Sequence, residues 1–298
     1  MTLVVVGQTG LIGNGLIRKN CHDYIDFTIR NWNLKSFQNV FKNNLLKGSV
    51  KNSLDIVWAA GVSNNSSPKE VIDQEIELVV SSLTQISSLR SMIRSLNYIS
   101  SAGSIYSNLE SSYIDEDTKL SPASDYGRSR IVIENLFQEC ASKIEVRMNI
   151  FRLTNVFGQN MILRKNSGLI NHLIKANLQR KELNIFVPLQ VEQDYIDLDF
   201  VVMNLINIIN NKPDSRLNSN IYNLSRNQSN SVIELVKLID KLMGRKTPYV
   251  MVKTDSTKMR QFNLKFRFNN DSYLSHKIQP IHYSIKKLIN EMVYEKIT

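Results

Sequence analysis

The sequence predicts an α/β protein, a doubly wound parallel sheet with a smaller C-terminal domain interleaved with it. Three observations carry this. The chain opens on a β-branched apolar run, Thr2–Val6, that passes straight into a glycine-rich turn. Strand-like and helix-like segments then alternate through the first half, the pattern of a parallel sheet flanked by helices. Several strands read as unbroken apolar runs, as strands buried on both faces do.

Thr2–Val6 reads as the first strand, and Leu11–Lys19 as the helix that follows it. Tyr24–Arg30 reads as the second strand. Residues 31–53 are polar and rich in Asn and Lys, with a weak helical pattern and a poor third strand. Residues 54–61, Leu-Asp-Ile-Val-Trp-Ala-Ala-Gly, form a further buried strand ending in small residues. Small residues there let a ligand approach the carboxyl edge, where open α/β sheets bind ligands. A helix is expected over 68–96, a strand over Leu96–Ser101, a helix over Ser124–Ala141 and a strand over Val146–Leu153. Beyond these, helices are expected over Gly168–Gln179, Asp199–Asn210, Ser231–Met243 and Tyr283–Tyr294, with a short strand at Asn220–Leu224. No internal repeat or low-complexity linker separates the halves.

Composition narrows the function classes. The 298 residues suffice for a large core without staples. No apolar run approaches the roughly 18 residues of a membrane span, and no membrane association is expected. The N-terminus lacks a basic region and a small-residue cleavage site, so it reads as a buried strand and not a signal peptide. Two cysteines, Cys21 and Cys140, indicate no disulfide framework and suit a cytoplasmic location. The four histidines show no metal-ligand spacing, and no metal is expected. The net charge is +10, and residues 251–298 hold nine Lys/Arg against four Asp/Glu. A basic surface attracts anions. The basic residues are scattered, without a Lys/Arg block or nucleic-acid motif, so no nucleic-acid partner is expected.

Gly7, Gly10 and Gly13 recur at three-residue intervals between a buried strand and a helix, within Gly7-Gln8-Thr9-Gly10-Leu11-Ile12-Gly13. Gly7 permits a tight turn, Gly10 lets the backbone approach a pyrophosphate, and Gly13 lets helix and strand pack closely. The helix N-terminus presents N–H groups to the anion. This Rossmann-type arrangement points to NAD or NADP. Arg30, near the end of the second strand, suits a 2′-phosphate and so favours NADP; an arginine facing solvent reads equally well there.

Tyr126 and Arg130 are four residues apart on an expected helix, hence on one face. A tyrosine, with an ordinary pKa of about 10, needs a nearby cation to serve as a base near neutrality. Arg130 is such a cation. The strand ending Tyr98-Ile99-Ser100-Ser101 runs into a hydroxyl-rich loop whose serines suit hydrogen bonding to the same substrate oxygen.

In this order the motifs resemble those of the extended short-chain dehydrogenase/reductase superfamily, specifically the NAD-dependent epimerase/dehydratase family acting on nucleotide sugars. The resemblance covers most of the chain. It rests on the Gly7, Gly10, Gly13 pattern, on Ala59-Ala60-Gly61 after the fourth strand, and on the Ser-Ser-Ala-Gly-Ser-Ile-Tyr segment at 100–106. Glu116-Asp117 and Ser121-Pro122 precede the tyrosine. Residues 151–158 resemble the family's Arg-x-x-Asn-x-Tyr-Gly strand, 193–197 its Arg-Asp-Tyr/Phe-Ile segment, and 220–224 the short strand after it.

The resemblance implies that Tyr126 is the catalytic acid/base and that Ser101, 25 residues earlier, is the partner hydroxyl, with Ser104 as the fallback. It implies that Ala59, Ala60 and Gly61 line the cofactor groove and that Asn155 and Gln193 meet a nucleotide-diphosphate sugar. Arg260 or Arg267 is the candidate for its phosphates, a solvated arginine being an equal reading of either. The family's homodimer is expected. The implied domains are residues 1–160, with 195–228 returning to them, for the dinucleotide, and 161–194 with 229–298 for the substrate.

Two departures matter. The family's Tyr-x-x-x-Lys is Tyr-x-x-x-Arg here, and arginine does not readily release a proton, its pKa lying above about 12. Gln193 stands where an arginine often contacts substrate. No Asp-Glu pair adjoins Ser101, as a dehydratase would use. An epimerase is therefore the first expectation, a keto-sugar reductase the second and a dehydratase the third. A non-catalytic dinucleotide-binding relative is the alternative that Arg130 keeps open.

Overall fold

The computed structural model describes residues 2–19, 24–25, 38–39, 53–109, 113–159, 168–211, 219–252, 274 and 276–294. Arg30, Arg260, Arg267, Cys21, His22 and nearly all of the expected weak third strand lie outside the described residues.

Six parallel strands form the central sheet: β1 (Thr2–Val6), β2 (Tyr24–Ile25), β3 (Leu54–Trp58), β4 (Ile93–Ser101), β5 (Arg147–Leu153) and β9 (Ser219–Leu224). Their spatial order is β2-β1-β3-β4-β5-β9. Every residue of β1, β3 and β5 is buried, and the charged ones, Asp55 of β3 and Arg147 and Arg152 of β5, are held by hydrogen bonds. The register aligns Val6 with Trp58, Trp58 with Tyr98, and Ser101 with Leu153 and Leu153 with Leu224. The turns after β1, β3 and β4 therefore leave from one edge of the sheet.

Helices cover both faces. On one, α2 (Lys69–Ser87) and α4 (Asp125–Ile144) enclose a core containing Trp58, Val79, Tyr98, Ile133 and Phe137. On the other, α1 (Leu11–Lys19) and α6 (Leu198–Asn210) pack with Leu16, Phe151, Val202 and Leu205 at the centre. A third core joins α5 (Leu169–Gln179), α7 (Val232–Met243) and α8 (Ile281–Tyr294). The helix starts are written in the sequence. Ser124 caps α4 by accepting from the Gly127 amide, and Ser231 and Glu234 form a capping box on α7. Such caps contribute about 1 kcal/mol each.

The expected helix over 68–96 is corrected. It ends at Ser87, a 3-10 turn covers Arg90–Met92, and β4 begins at Ile93. The Ser87 hydroxyl donates to the Leu83 carbonyl and that of Ser88 to the Gln85 carbonyl. Such local bonds give the backbone an alternative to continued helix. Beyond them, Arg94 and Ser95 donate to Asp55, buried on β3, which fixes this segment as strand.

Five short strands complete the fold: β6 (Asn155–Phe157), which falls within the 151–158 segment that resembles a family strand, and β7 (Leu183–Ile185), β8 (Glu192–Asp197), β10 (Ser229–Ser231) and β11 (Tyr249–Met251), which carry no expectation of a strand. They form a three-stranded sheet, β10-β8-β6, and a β7–β11 pair.

Candidate functional site

The turn from β1 into α1 is built by close backbone approach. Gly7 has φ +94°, a conformation that favours glycine, and its carbonyl accepts from the Gly10 amide at 2.8 Å. A β-carbon on Gly13 would stand 2.3 Å from the Gly7 carbonyl oxygen, an impossible contact. The helix therefore presses its first turn on the strand end, and side chains are excluded between them. No carboxylate occupies the first turn of α1. Helix-start amides without opposing negative charge fit an anion, so the cradle suits a pyrophosphate. Ala59 and Ala60 follow β3 directly, and their backbone would meet a Gly7 β-carbon at 2.7 Å. Ala59, Ala60 and exposed Gly61 thus flank the cradle along the same sheet edge.

Ser101 ends β4, and a single helical turn, α3 (Ala102–Ile105), follows. The Ser101 hydroxyl donates to the Ser104 hydroxyl at 3.1 Å. This turn is knitted to the start of α4. Ser107 donates to the Ser104 carbonyl and accepts from the Ala123 amide, each at 2.8 Å. Gly127 packs directly on the Ser104 carbonyl; a β-carbon on it would lie 2.4 Å away. The neighbour of Gly127 is Tyr126, which is thereby held beside the serine turn.

Tyr126 and Arg130 share a face, as their spacing requires. The Arg130 guanidinium carbon lies 4.7 Å from the Tyr126 ring centroid. Arg130 is 4% exposed and pairs with Glu75 of α2, equally buried, at 2.7 Å. Glu75 was not expected from the sequence, although it falls on the buried stripe of α2 formed by Ile72, Val79 and Ile86. A carboxylate on an apolar helical stripe is the signal that marks it. Its second oxygen accepts from the Ser63 amide at 2.8 Å. Burial raises the Tyr126 phenol above its ordinary value; Arg130 works against this and Glu75 with it. Burial opposes the Arg130 charge, but Tyr98, Tyr126 and Glu75 together outweigh it and hold the guanidinium protonated.

Below the site lies a second buried ion pair. Arg152 of β5 and Glu134 of α4 are each 3% exposed and meet at 2.7 Å. Ser100 donates to Glu134 and Arg152 donates to the Tyr106 hydroxyl.

Two of the expected substrate residues, Asn155 and Gln193, lie on the short strands β6 and β8. Asn155 is exposed on β6, and its amide donates to the Asp194 carbonyl at 2.9 Å. Gln193, half-buried on β8, accepts from the Tyr195 hydroxyl at 3.3 Å. β6 and β8 are paired, so the two belong to one small sheet. Among the described residues no cluster of His, Cys, Asp and Glu could hold a metal, and no helix is long and apolar enough to cross a membrane.

The whole-chain architecture has known counterparts. A UDP-glucose 4-epimerase from Thermotoga maritima, solved with UDP-glucose, superposes with a TM-score of 0.80 over 100% of both chains at 16% identity. A UDP-glucuronic acid 4-epimerase from Bacillus cereus, solved with UDP-glucuronic acid and NAD, gives 0.75 at 15% identity over 99% of this chain and 100% of that one. At these identities the likeness is one of fold. In sequence, a protein of Bacillus subtilis (strain 168) described as an uncharacterized UDP-glucose epimerase, YtcB, is 28% identical over 146 residues, 49% of this chain and 44% of that protein. The chain thus matches under half the length of that relative. The family model for the NAD dependent epimerase/dehydratase family matches residues 3–225. That span takes in the glycine cradle, the serine turn, Tyr126 and Arg130, and β9 at the sheet edge, and so the chain belongs to the NAD dependent epimerase/dehydratase family.

Proposed function

We propose that the chain is an NAD(P)-dependent nucleotide-sugar epimerase that works through a keto-sugar intermediate, with Tyr126 as its acid/base. One observation carries the reading. Tyr126, with Arg130 against its ring, is held by Gly127 on the Ser101–Ser104 turn, at the sheet edge that bears the glycine cradle. The 4-epimerases among its structural relatives support position 4 of the sugar as the centre that inverts.

Gly7, Gln8, Thr9, Gly10, Leu11, Ile12 and Gly13 would hold the pyrophosphate, and Ala59, Ala60 and Gly61 the groove beside it. When bound, the dinucleotide supplies the acceptor and donor of hydride. Tyr126 takes the proton of the sugar hydroxyl at its phenolate oxygen, holds it while the carbon is a ketone, and returns it. The Ser101 hydroxyl, poised against Ser104, hydrogen-bonds the same sugar oxygen. Arg130 opposes the burial that raises the Tyr126 phenol, and the charge of a bound oxidised nicotinamide would add to it; held by Glu75, Arg130 is not a proton carrier. Against the pull of burial, the neighbouring Tyr98, Tyr126 and Glu75 raise the Arg130 guanidinium above its ordinary value, which gives the same result. Asn155 and Gln193 are the residues of the small sheet that we assign to the nucleotide-sugar. A cytoplasmic homodimer accords with the two-cysteine composition and with the resemblance.

The test has two parts. The purified protein is denatured and any released nucleotide identified by mass spectrometry; retained NAD supports a reaction that recycles its cofactor on the protein. The protein is then incubated with NAD and UDP-glucose or UDP-glucuronic acid, and inversion at C4 is followed by proton NMR. Inversion that disappears in Tyr126→Phe supports the reading. Undiminished inversion in that variant overturns it.

A further inference from the structure

Arg130 occupies an unusual position for a cation beside a reacting tyrosine. A lone guanidinium at 4% exposure would be costly, because burial strips its hydration. The chain meets this cost with a carboxylate 55 residues away on another helix. Nη2 of Arg130 is fully engaged: it donates to Glu75 at 2.7 Å and also approaches the hydroxyls of Ser63 and Ser129. Nη1 faces the groove, where a β-carbon on Gly61 would lie 3.6 Å from it and 3.3 Å from the Glu75 carboxylate. Glu75 is itself anchored by the Ser63 amide of the loop leaving β3. The carboxylate therefore holds the guanidinium beside the Tyr126 ring, 4.7 Å from its centroid, with Nη1 toward Gly61.

We propose that Glu75 is a positioning residue for Tyr126: it fixes the Arg130 guanidinium against the ring and offsets part of the positive charge that Tyr126 feels. Glu75 touches neither the expected substrate oxygen nor the tyrosine hydroxyl; it acts through Arg130. The ionisable groups that act on Tyr126 are Arg130, from its own helix, and Glu75 from α2, and Arg130 in turn feels Tyr98 from β4. Of these, Arg130 alone carries positive charge, so the state of Tyr126 depends on how Arg130 is held and how far it is neutralised. The directions agree: Arg130 lowers and Glu75 raises the Tyr126 phenol.

The inference rests on Tyr126 being the acid/base, and its test separates the two. Tyrosine Cζ resonances of isotope-labelled protein are followed against pH, with Tyr126 assigned through Tyr126→Phe; this needs no turnover. The acid limb of kcat is measured in parallel. Glu75→Gln keeps the size of the side chain and removes its charge. It is expected to move both the Tyr126 titration and the kcat limb to lower pH by about one unit, a tenfold change in the proton equilibrium. Where the uncompensated arginine prevents folding, the double variant Glu75→Gln/Arg130→Met buries no lone charge and is the variant measured. There the limb and the titration should move to higher pH, since the nearer cation is gone. A Tyr126 titration that matches the parent's in the folded variant overturns the proposal. If Tyr126→Phe keeps its turnover while the titration shifts, the acid/base reading fails and the positioning of the ring stands.

Discussion

Gly127 lies so close to Ser104 that its α-carbon hydrogens face the Ser104 carbonyl where any side chain would collide, at 2.4 Å for a β-carbon. This contact is the joint between the serine turn and the helix that carries Tyr126. Alanine is normally the better helix former, by about 1 kcal/mol. Here Gly127→Ala is expected to reverse that preference, because the obstacles are backbone and Pro122 and not a flexible side-chain tip. Overpacking of this kind costs about 1–3 kcal/mol. Urea unfolding should show the loss. Turnover should fall more than stability does, since Tyr126 moves away from Ser101.

Gly13 offers a second backbone joint, with a separate readout. Gly13→Ala would drive a methyl to 2.3 Å from the Gly7 carbonyl and pry α1 from β1. The expected outcome is a loss of NAD affinity of about a hundredfold, roughly 2.7 kcal/mol, measured by calorimetric titration. Gly13 rests on Gly7 and Gln8 whereas Gly127 rests on Ser104 and Pro122, so the two joints have separate neighbours and the Tyr126 titration should stay where it is in the parent. Unchanged NAD affinity would mean that the cradle does not hold the pyrophosphate.

What the sequence made legible was chain-local. Three glycines at fixed spacing after an apolar run, and a tyrosine four residues before an arginine, report their own geometry because strand, turn and helix have fixed periods. The Glu75–Arg130 pair joins two helices and became visible only when α2 and α4 packed side by side on the sheet. Gly127 was plain as a letter and silent as a contact, because the Ser104 carbonyl reaches it through the fold. β8 and β10 of the small sheet were missed for another reason. β10 reads Ser-Asn-Ser, too short and too polar for a period-2 pattern to register, and β8 opens on three polar residues, Glu192, Gln193 and Asp194. The helix expected over 68–96 ran too far because its apolar periodicity continues past Ser87, while serine side-chain bonds to the backbone end it.

The Glu134–Arg152 pair ties α4 to β5 directly below the site, both groups 3% exposed. Removing one member leaves the other charged, buried and alone. Glu134→Ala is expected to cost about 3–5 kcal/mol in unfolding free energy. Replacing both, as Glu134→Leu/Arg152→Met, should cost much less, because neither charge then needs a partner. Chemical denaturation of the three proteins checks this. Equal losses in the single and double variants would mean that packing, and not charge burial, dominates here.

Asp194 makes the case for pH dependence. It is 4% exposed on β8 and accepts from the Thr154 hydroxyl at 2.6 Å and from the amides of Arg226 and Gln228. Burial raises its carboxyl above the ordinary carboxylate value, and the three donors pull back without reversing it. The native state thus binds this proton more tightly than the unfolded chain does. The stabilisation is fully present below the unfolded pKa, about 3.9, and is lost as pH rises through the higher native value. Asp194→Asn removes the titration and turns one acceptor into a donor facing an amide N–H, an expected cost of about 1–3 kcal/mol. That cost should be largest in acid and shrink as pH climbs past the native carboxyl's range. Denaturation of parent and variant across pH measures the gap; a gap that widens toward neutral pH would show that the three donors prevail over burial at Asp194.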